Sequence, residues 1–291
     1  MVEIGRALDH GAELRGVLTH AGESYGVYGK EAHAAFAERE RSAAVNAAGA
    51  LRAAGLECPV VSIGSTPTAH AVRDVDGVTE VRAGVCAFFD LVQAGIDVCE
   101  IDDIALSVLT TVVGHQQAKD RIITDAGWMA LSKDRGTADQ RVDQGYGVVC
   151  DEMGNVLPVL VVVGVNQEHG IVSRRPGSTV PLPDLPVGTR LRVLPNHACA
   201  TAAHFDRYNV VLVGPGAPLE VWHRFVAGRR PAMRFVPGLP VRGECRTGHR
   251  CGVSRATPTR VTSTDQREGS HALDVADPDP FRARARSVAS R

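Results

Sequence analysis

Lysine is nearly absent from this 291-residue sequence. It stands only at Lys30, Lys119 and Lys133, and every other basic residue is arginine. Chemistry that needs a side-chain amine therefore has few candidates. Net charge is also lacking: the formal value of −1 argues against a dedicated nucleic-acid or membrane-surface protein. No apolar run approaches a membrane span. Met1 is followed by VEIGRALDHG, which lacks the basic-then-apolar order of a signal peptide, so a cytoplasmic protein is expected. A disulfide framework is absent as well. The seven cysteines (Cys58, Cys86, Cys99, Cys150, Cys199, Cys245 and Cys251) are odd in number and scattered, which fits reduced thiols. Cys58, Cys99 and Cys150 read as small buried hydrophobes.

What is present is a long enough chain, 44% hydrophobic, for one large or two ordinary domains. Its first ~95 residues alternate strand and helix. LRGVLTH (14–20) is a short apolar run that ends in the loop AGESYG. A long helix follows through EAHAAFAERERSAAVNAAGALRAAGL, with Phe36, Ala43, Ala47 and Leu51 at helical spacing, a charged exposed turn from Glu38 to Arg41, and Gly55 as its stop. The unit repeats as PVVSI, GSTPT and AHAVRDV, and again as VTEVR, AG and CAFFDLVQAG. Three such units imply parallel strands, as in part of a (β/α) barrel or a doubly wound sheet, with sites in loops at the carboxyl ends of strands.

From about residue 100 the pattern becomes β-branched runs between turns: IALSVLTTVVG, RIITDAG, YGVVCDE, VLPVLVVVG, TRLRVLP and NVVLV. NVVLV and LEVWHRFV flank GPGAP as a hairpin. The expected organisation is an incomplete (β/α) barrel over 1–99, an antiparallel β-domain over 100–228, and a disordered C-terminal tail over 229–291, rich in Arg, Pro, Gly, Ser and Thr. CRTGHRC (245–251) within that tail matches no common zinc spacing.

Two stretches could carry chemistry. GSTPT (64–68) follows a strand and opens a helix. Its glycine, the Ser65 and Thr66 hydroxyls and successive N–H groups could form an anion seat; equally, Ser and Thr could simply cap the helix before Pro67. Gly84, after the next strand, offers a second close approach. His20 and Tyr25 lie in the loop after the first strand. PNHACAT (195–201) puts His197 and Cys199 at i and i+2, which in extended backbone point the same way. Imidazole and thiolate together suit zinc, and two ligands leave open positions for water and substrate. The alternative is a buried His and Cys in a β-domain loop. QEHG (167–170) and His204 could add supporting or proton-transfer groups.

LTHAGESYG, PVVSIGSTPTA, GVTEVRAGVCAFFDL, DDIALSVL, DAGWMALSKDRG, QGYGVVCDE, QEHG and PNHACAT, in this order, resemble the D-threonine aldolase / D-serine dehydratase family, pyridoxal-phosphate enzymes of the alanine racemase fold type. The resemblance covers roughly 14–228. It implies a cofactor-holding barrel and a metal-bearing β-domain, with Ser65, Thr66, Gly84, Val85 and Cys86 bordering the phosphate, His20 and Tyr25 lining the cofactor, and His197 and Cys199 binding a divalent metal, zinc or manganese. The implied activity is a lyase acting on a small-molecule D-3-hydroxy amino acid, with D-threonine aldolase-type cleavage to glycine and an aldehyde expected first. D-serine dehydratase, or a non-catalytic remnant that binds metal or phosphate, is the alternative. A homodimer is implied, with no nucleic-acid or membrane partner. The sequence departs from the family pattern at Cys86, where a tyrosine is common, in VEIGRALDHG, which resembles a shortened strand and loop, and in the tail. The family's Schiff-base lysine belongs on the first barrel strand, upstream of LTHAG. None of the three lysines stands there, so impaired activity and an N-terminal truncation are expected.

Overall fold

The computed structural model describes residues 1–211 and 219–224, together with the backbone of 286–289. The expected tail, CRTGHRC and the GPGAP turn otherwise lie outside the described residues.

The chain begins with helix α1 (Val2–Asp9) and strand β1 (Gly16–Leu18). Next come the long helix α2 (Lys30–Ala53), β2 (Val60–Ile63), α3 (Thr66–Ala71), β3 (Glu80–Val81) and α4 (Leu91–Gly95). β1, β2 and β3 pair in that order, all parallel, as three successive strand–helix units require. Val17, Val61 and Ile63 pack against Ala44, Ala48 and Leu51 of α2. The buried face of α2 is therefore His33, Ala37, Glu40, Ala44, Ala48 and Leu51. It is rotated about one residue from the face expected at Phe36, Ala43 and Ala47, and it shares the expected Leu51. The expected helix through CAFFDLVQAG is also broken. A short 3-10 turn (Val85–Ala87) is followed by Phe89 at φ +52°, and α4 starts only at Leu91.

The β-part comprises β4 (Leu106–Gln116), β5 (Arg121–Thr124), the short α5 (Trp128–Leu131), β6 (Val148–Asp151), β7 (Val156–Val165), β8 (Gly170–Arg174), β9 (Arg190–Leu194), α6 (Ala198–Ala202), β10 (Arg207–Val211), β11 (Leu219–His223) and β12 (Arg286–Ala289). Strands β4, β5, β8, β7, β6 and β9 are each antiparallel to the next, and β9 returns to β4. The ring is closed, which removes the free edges of an open sheet. β4 is buried on both faces at Leu106, Ser107 and Val108 and then alternates as the pleat demands, with Thr110 and Val112 buried. Val108 and Val112 join Ile122, Leu160, Val162, Val172, Leu191 and Val193 in the barrel core. β8, in GIVSR, was missed in the sequence because it is short and follows a polar turn. The expected NVVLV–LEVWH hairpin forms as β10–β11.

Candidate functional site

The loop after β2 starts at Gly64, whose φ of +150° lies in glycine's territory. A Cβ there would stand 2.2 Å from the Arg82 carbonyl oxygen, so only glycine lets this loop lie against the end of β3. Ser65 is the N-cap of α3. Its Oγ accepts from Thr68 N–H (3.3 Å), and Ser65 N–H donates to Thr68 Oγ1 (3.2 Å). Thr66 Oγ1 accepts from Val85 N–H at 3.1 Å. The capping alternative thus holds for Ser65, and both hydroxyls already have partners inside the fold. Behind the loop lies a residue that the sequence reading placed in an exposed charged turn. Glu40 is 7% exposed. It accepts from Thr19 Oγ1 (2.8 Å), Gly64 N–H (3.0 Å) and Thr68 Oγ1 (2.7 Å), so its charge is fully engaged, as burial requires.

His20 Nδ1–H donates to the Gly64 carbonyl at 2.9 Å, and its ring lies 6.4 Å from that of Tyr25, centroid to centroid. Burial raises the Tyr25 pKa. Hydrogen bonds from the Gln93 side chain and from Thr66 N–H to the phenol act in the opposite direction, and nearby Asp90 and Cys199 add to the rise. Tyr25 therefore bridges the β2 loop and the start of α4.

The His-x-Cys pair is not in extended backbone throughout. His197 is extended (φ −133°, ψ 105°) and occupies the N-cap position of α6, whereas Cys199 sits in the first helical turn. The alternation argument thus fails, and a cap-to-first-turn geometry brings the two side chains together instead. Cys199 lies close enough to the imidazole to act on its charge, and His197 Nδ1–H donates to Asp134 Oδ2 at 2.8 Å. Cys199 first, and then Asp134, raise His197 to about 9 against the effect of burial. In the neutral ring the Asp134 bond holds the proton on Nδ1 and leaves the Nε2 lone pair available. Asn196 fixes the loop from below. Its Nδ2 donates to the carbonyls of Asp134 (3.1 Å) and Gly145 (2.6 Å), and its Oδ1 accepts from Thr137 Oγ1 (2.9 Å).

These pieces line one cavity of about 640 Å³, whose walls include His20, Tyr25, Ser65, Thr66, Gly84, Val85, His197 and Cys199. Cys86 is exposed and is not among the lining residues. Nor are His169 and His204, which are exposed; the supporting carboxylate is Asp134, within the DAGWMALSKDRG motif. Arg82, Asp90 and Gln93 also border the cavity and were missed. Lys30, Lys119 and Lys133 do not line it.

The donor chemistry fits a divalent cation in part. Imidazole and sulfur lie together with a carboxylate behind the imidazole, although among the described residues no cluster of three or more His, Cys, Asp or Glu side chains is suited to a metal. An anionic cofactor fits the glycine rim, where a Cβ on Gly84 would meet no atom within 4 Å and Arg82 adds positive charge. An imine-forming amine is not provided.

Comparison with known proteins matches the chain in two segments. The family model described as "Putative serine dehydratase domain" matches residues 105–211, and "Alanine racemase, N-terminal domain" matches 1–92. D-threo-3-hydroxyaspartate dehydratase from a Delftia species is 58% identical over 77% of this chain and 59% of its own length. The solved structure of that Delftia enzyme superposes with a TM-score of 0.70 at 57% identity over the same shares. By these matches the chain is similar to the D-serine dehydratase-like proteins of the alanine racemase fold type. D-serine dehydratase of Dictyostelium discoideum is 29% identical over 68% of this chain, and D-threonine aldolase of an Arthrobacter species 28% over 73%; each is covered over 51% of its length. The chain thus spans between about half and three-fifths of these relatives. The expected fold, part of a (β/α) barrel followed by an antiparallel β-domain, is the one observed.

Proposed function

We propose that the cavity serves a pyridoxal-phosphate- and metal-dependent lyase reaction on D-3-hydroxy amino acids, and that the reaction is dehydration rather than the retro-aldol cleavage expected first. The observation that carries this reading is the His197–Cys199 pair facing the cavity with Asp134 at the imidazole's rear. Two comparisons support dehydration. The Delftia dehydratase is 58% identical and the aldolase 28%. Solved variants of that dehydratase replace a histidine and a cysteine two positions apart by alanine, the cysteine variant "in the metal-free form", which is the spacing of His197 and Cys199.

On this reading His197 Nε2 and Cys199 Sγ would hold the cation, zinc or manganese, and Asp134 would orient the imidazole. The cation would supply Lewis-acid polarisation of the substrate hydroxyl. The rim from Gly64 to Thr66 and around Gly84 would seat the cofactor phosphate, with His20 and Tyr25 beside the ring. The cofactor would supply an electron sink for charge at Cα. The walls given by α4 and the 3-10 turn would exclude water. Because no amine lines the cavity, the cofactor would be held non-covalently and turnover would be weak. A homodimer, as in the resemblance, goes with the same reading.

The test is equilibrium binding of pyridoxal phosphate and of Zn²⁺, followed by assay on D-3-hydroxyaspartate, D-serine and D-threonine with and without a chelator. The expected products are a 2-oxo acid and ammonia, suppressed by the chelator. Glycine and an aldehyde would restore the aldolase reading. A chain that binds neither group would end both.

A further inference from the structure

His197 is the N-cap residue of α6, yet its side chain makes no capping hydrogen bond. An uncapped helix start leaves backbone N–H groups without acceptors. Here the acceptor comes from Asp90, 108 residues away in sequence. Asp90 is 1% exposed. Its Oδ2 accepts from Ala198 N–H at 2.9 Å, the residue between His197 and Cys199, and its Oδ1 accepts from Gln93 N–H at 3.0 Å, capping its own helix α4. Two backbone bonds flank this tether: Leu91 N–H donates to Pro195 O (3.1 Å) and Val92 N–H to Asn196 O (3.2 Å).

The division of labour has a chemical consequence. Ser, Thr, Asn and Asp are the usual N-caps because their own oxygens accept from the first turn. Such a cap serves the second or third N–H of the helix, not the first. Asp90 binds that first N–H, on Ala198, and so fixes the backbone between the two donors while Asp134 holds the imidazole. The same carboxylate holds the start of α4, which carries Gln93, the partner of Tyr25. One buried side chain thus ties the metal-binding pair to the Tyr25 wall of the cavity.

We propose that Asp90 is a positioning residue for the His197–Cys199 cation site: it holds the first N–H of α6, on Ala198, and sets the two donors relative to each other. This rests on the metal reading given above. The decisive variants are Asp90→Asn, which keeps the shape but turns an N–H toward one of the two backbone donors, and Asp90→Ser. Serine is a good N-cap for α4 but has a single oxygen and cannot hold both helices, so it separates the local cap from the tether. Circular dichroism and thermal unfolding verify that each variant is folded.

Two readouts apply. Co²⁺ added to the wild-type chain is expected to give a thiolate-to-cobalt charge-transfer band that Cys199→Ala abolishes. In both Asp90 variants Zn²⁺ affinity, measured by competition with a chromophoric chelator, is expected to fall about 10–100-fold, the usual cost of losing a supporting partner, with a weaker cobalt band. In the metal-free chain, hydrogen exchange at Ala198 is expected to quicken at least about tenfold, as loss of a buried hydrogen bond predicts. A wild-type band with unchanged affinity in folded Asp90 variants would overturn the role of Asp90 and leave the metal reading standing. Absence of the band from the wild type would overturn both. Unchanged exchange at Ala198 would overturn the capping role itself.

Discussion

Glu40 stands in the run Glu38-Arg39-Glu40-Arg41, where every second residue invites solvent, and it is nonetheless buried beneath the GSTPT loop with three donors aimed at it. Replacing it by alanine would strand the Gly64 N–H and the Thr19 hydroxyl and take one partner from the Thr68 hydroxyl, which keeps Ser65. Hydrogen bonds to charged groups are worth about 1.5–3 kcal/mol each, and a stranded buried donor costs a similar amount. We expect Glu40→Ala to lower unfolding free energy by about 3 kcal/mol in a urea titration; a loss under about 0.5 kcal/mol, typical of surface positions, would place Glu40 outside the loop's support. The pairing was not legible because a charge run carries no sign of which member turns inward. That depends on the 100° step of α2 and on where β2 ends, both tertiary matters. The reverse holds for His197 and Cys199. Their residue types singled them out, and both line one cavity, but the extended-backbone argument for their convergence fails, since Cys199 sits in a helix start.

Among the elements, the β2–α3 junction is the most exacting. Gly64→Ala would combine a φ of +150° with a Cβ 2.2 Å from the Arg82 carbonyl. The loop must then withdraw from β3 and take the proposed phosphate rim with it. The expected result is at least a tenfold loss of pyridoxal-phosphate affinity by fluorescence titration, with the antiparallel barrel unperturbed; full affinity would mean that this loop is not the seat. The long helix α2 permits a pH prediction. Arg41 Nε and Nη2 donate to both Glu38 oxygens (2.9 and 2.7 Å) and Ser42 Oγ adds a third bond (2.7 Å). Chiefly through Arg41, the Glu38 carboxyl is lowered from 4.5 to about 2. A depressed folded-state pKa means that this stabilisation is present above about 4.5 and is lost as pH falls toward about 2. Carbon-detected NMR titration of Glu38 should find its midpoint well under that of a free glutamate, and added salt should move it back, because the group is exposed. A free-glutamate midpoint at low salt would refute the pairing. Strand–helix order and the hairpin were readable from period and turn residues. The break at Phe89 was not, since an apolar run does not disclose a positive φ.

For the molecule as a whole, the two sheets differ in kind. The six-strand ring pairs each of its members on both sides, whereas β1 and β3 each have one strand neighbour among the described residues. β3 has only two residues, and Leu18 and Val81 at the two flanks are 67% and 39% exposed. Opening free energies follow the number of supporting contacts. Amides of β1 and β3 should therefore exchange with deuterium well before those of β4, β7 and β9, with α2 between. Uniform protection across both sheets would contradict that ranking. The fold class was legible here because periodicity changes near residue 100. Closure was not, since it depends on the β4–β9 pairing, with partners such as Val108 and Val193 far apart in sequence.

A ring of strands has no privileged starting point. The turn between β6 and β7 carries Met153, 78% exposed, and a protease that cut there would sever the polypeptide without unfastening any ladder. The two pieces would travel together through a sizing column and separate only in denaturant, so this barrel should behave as one particle even after it has ceased to be one chain.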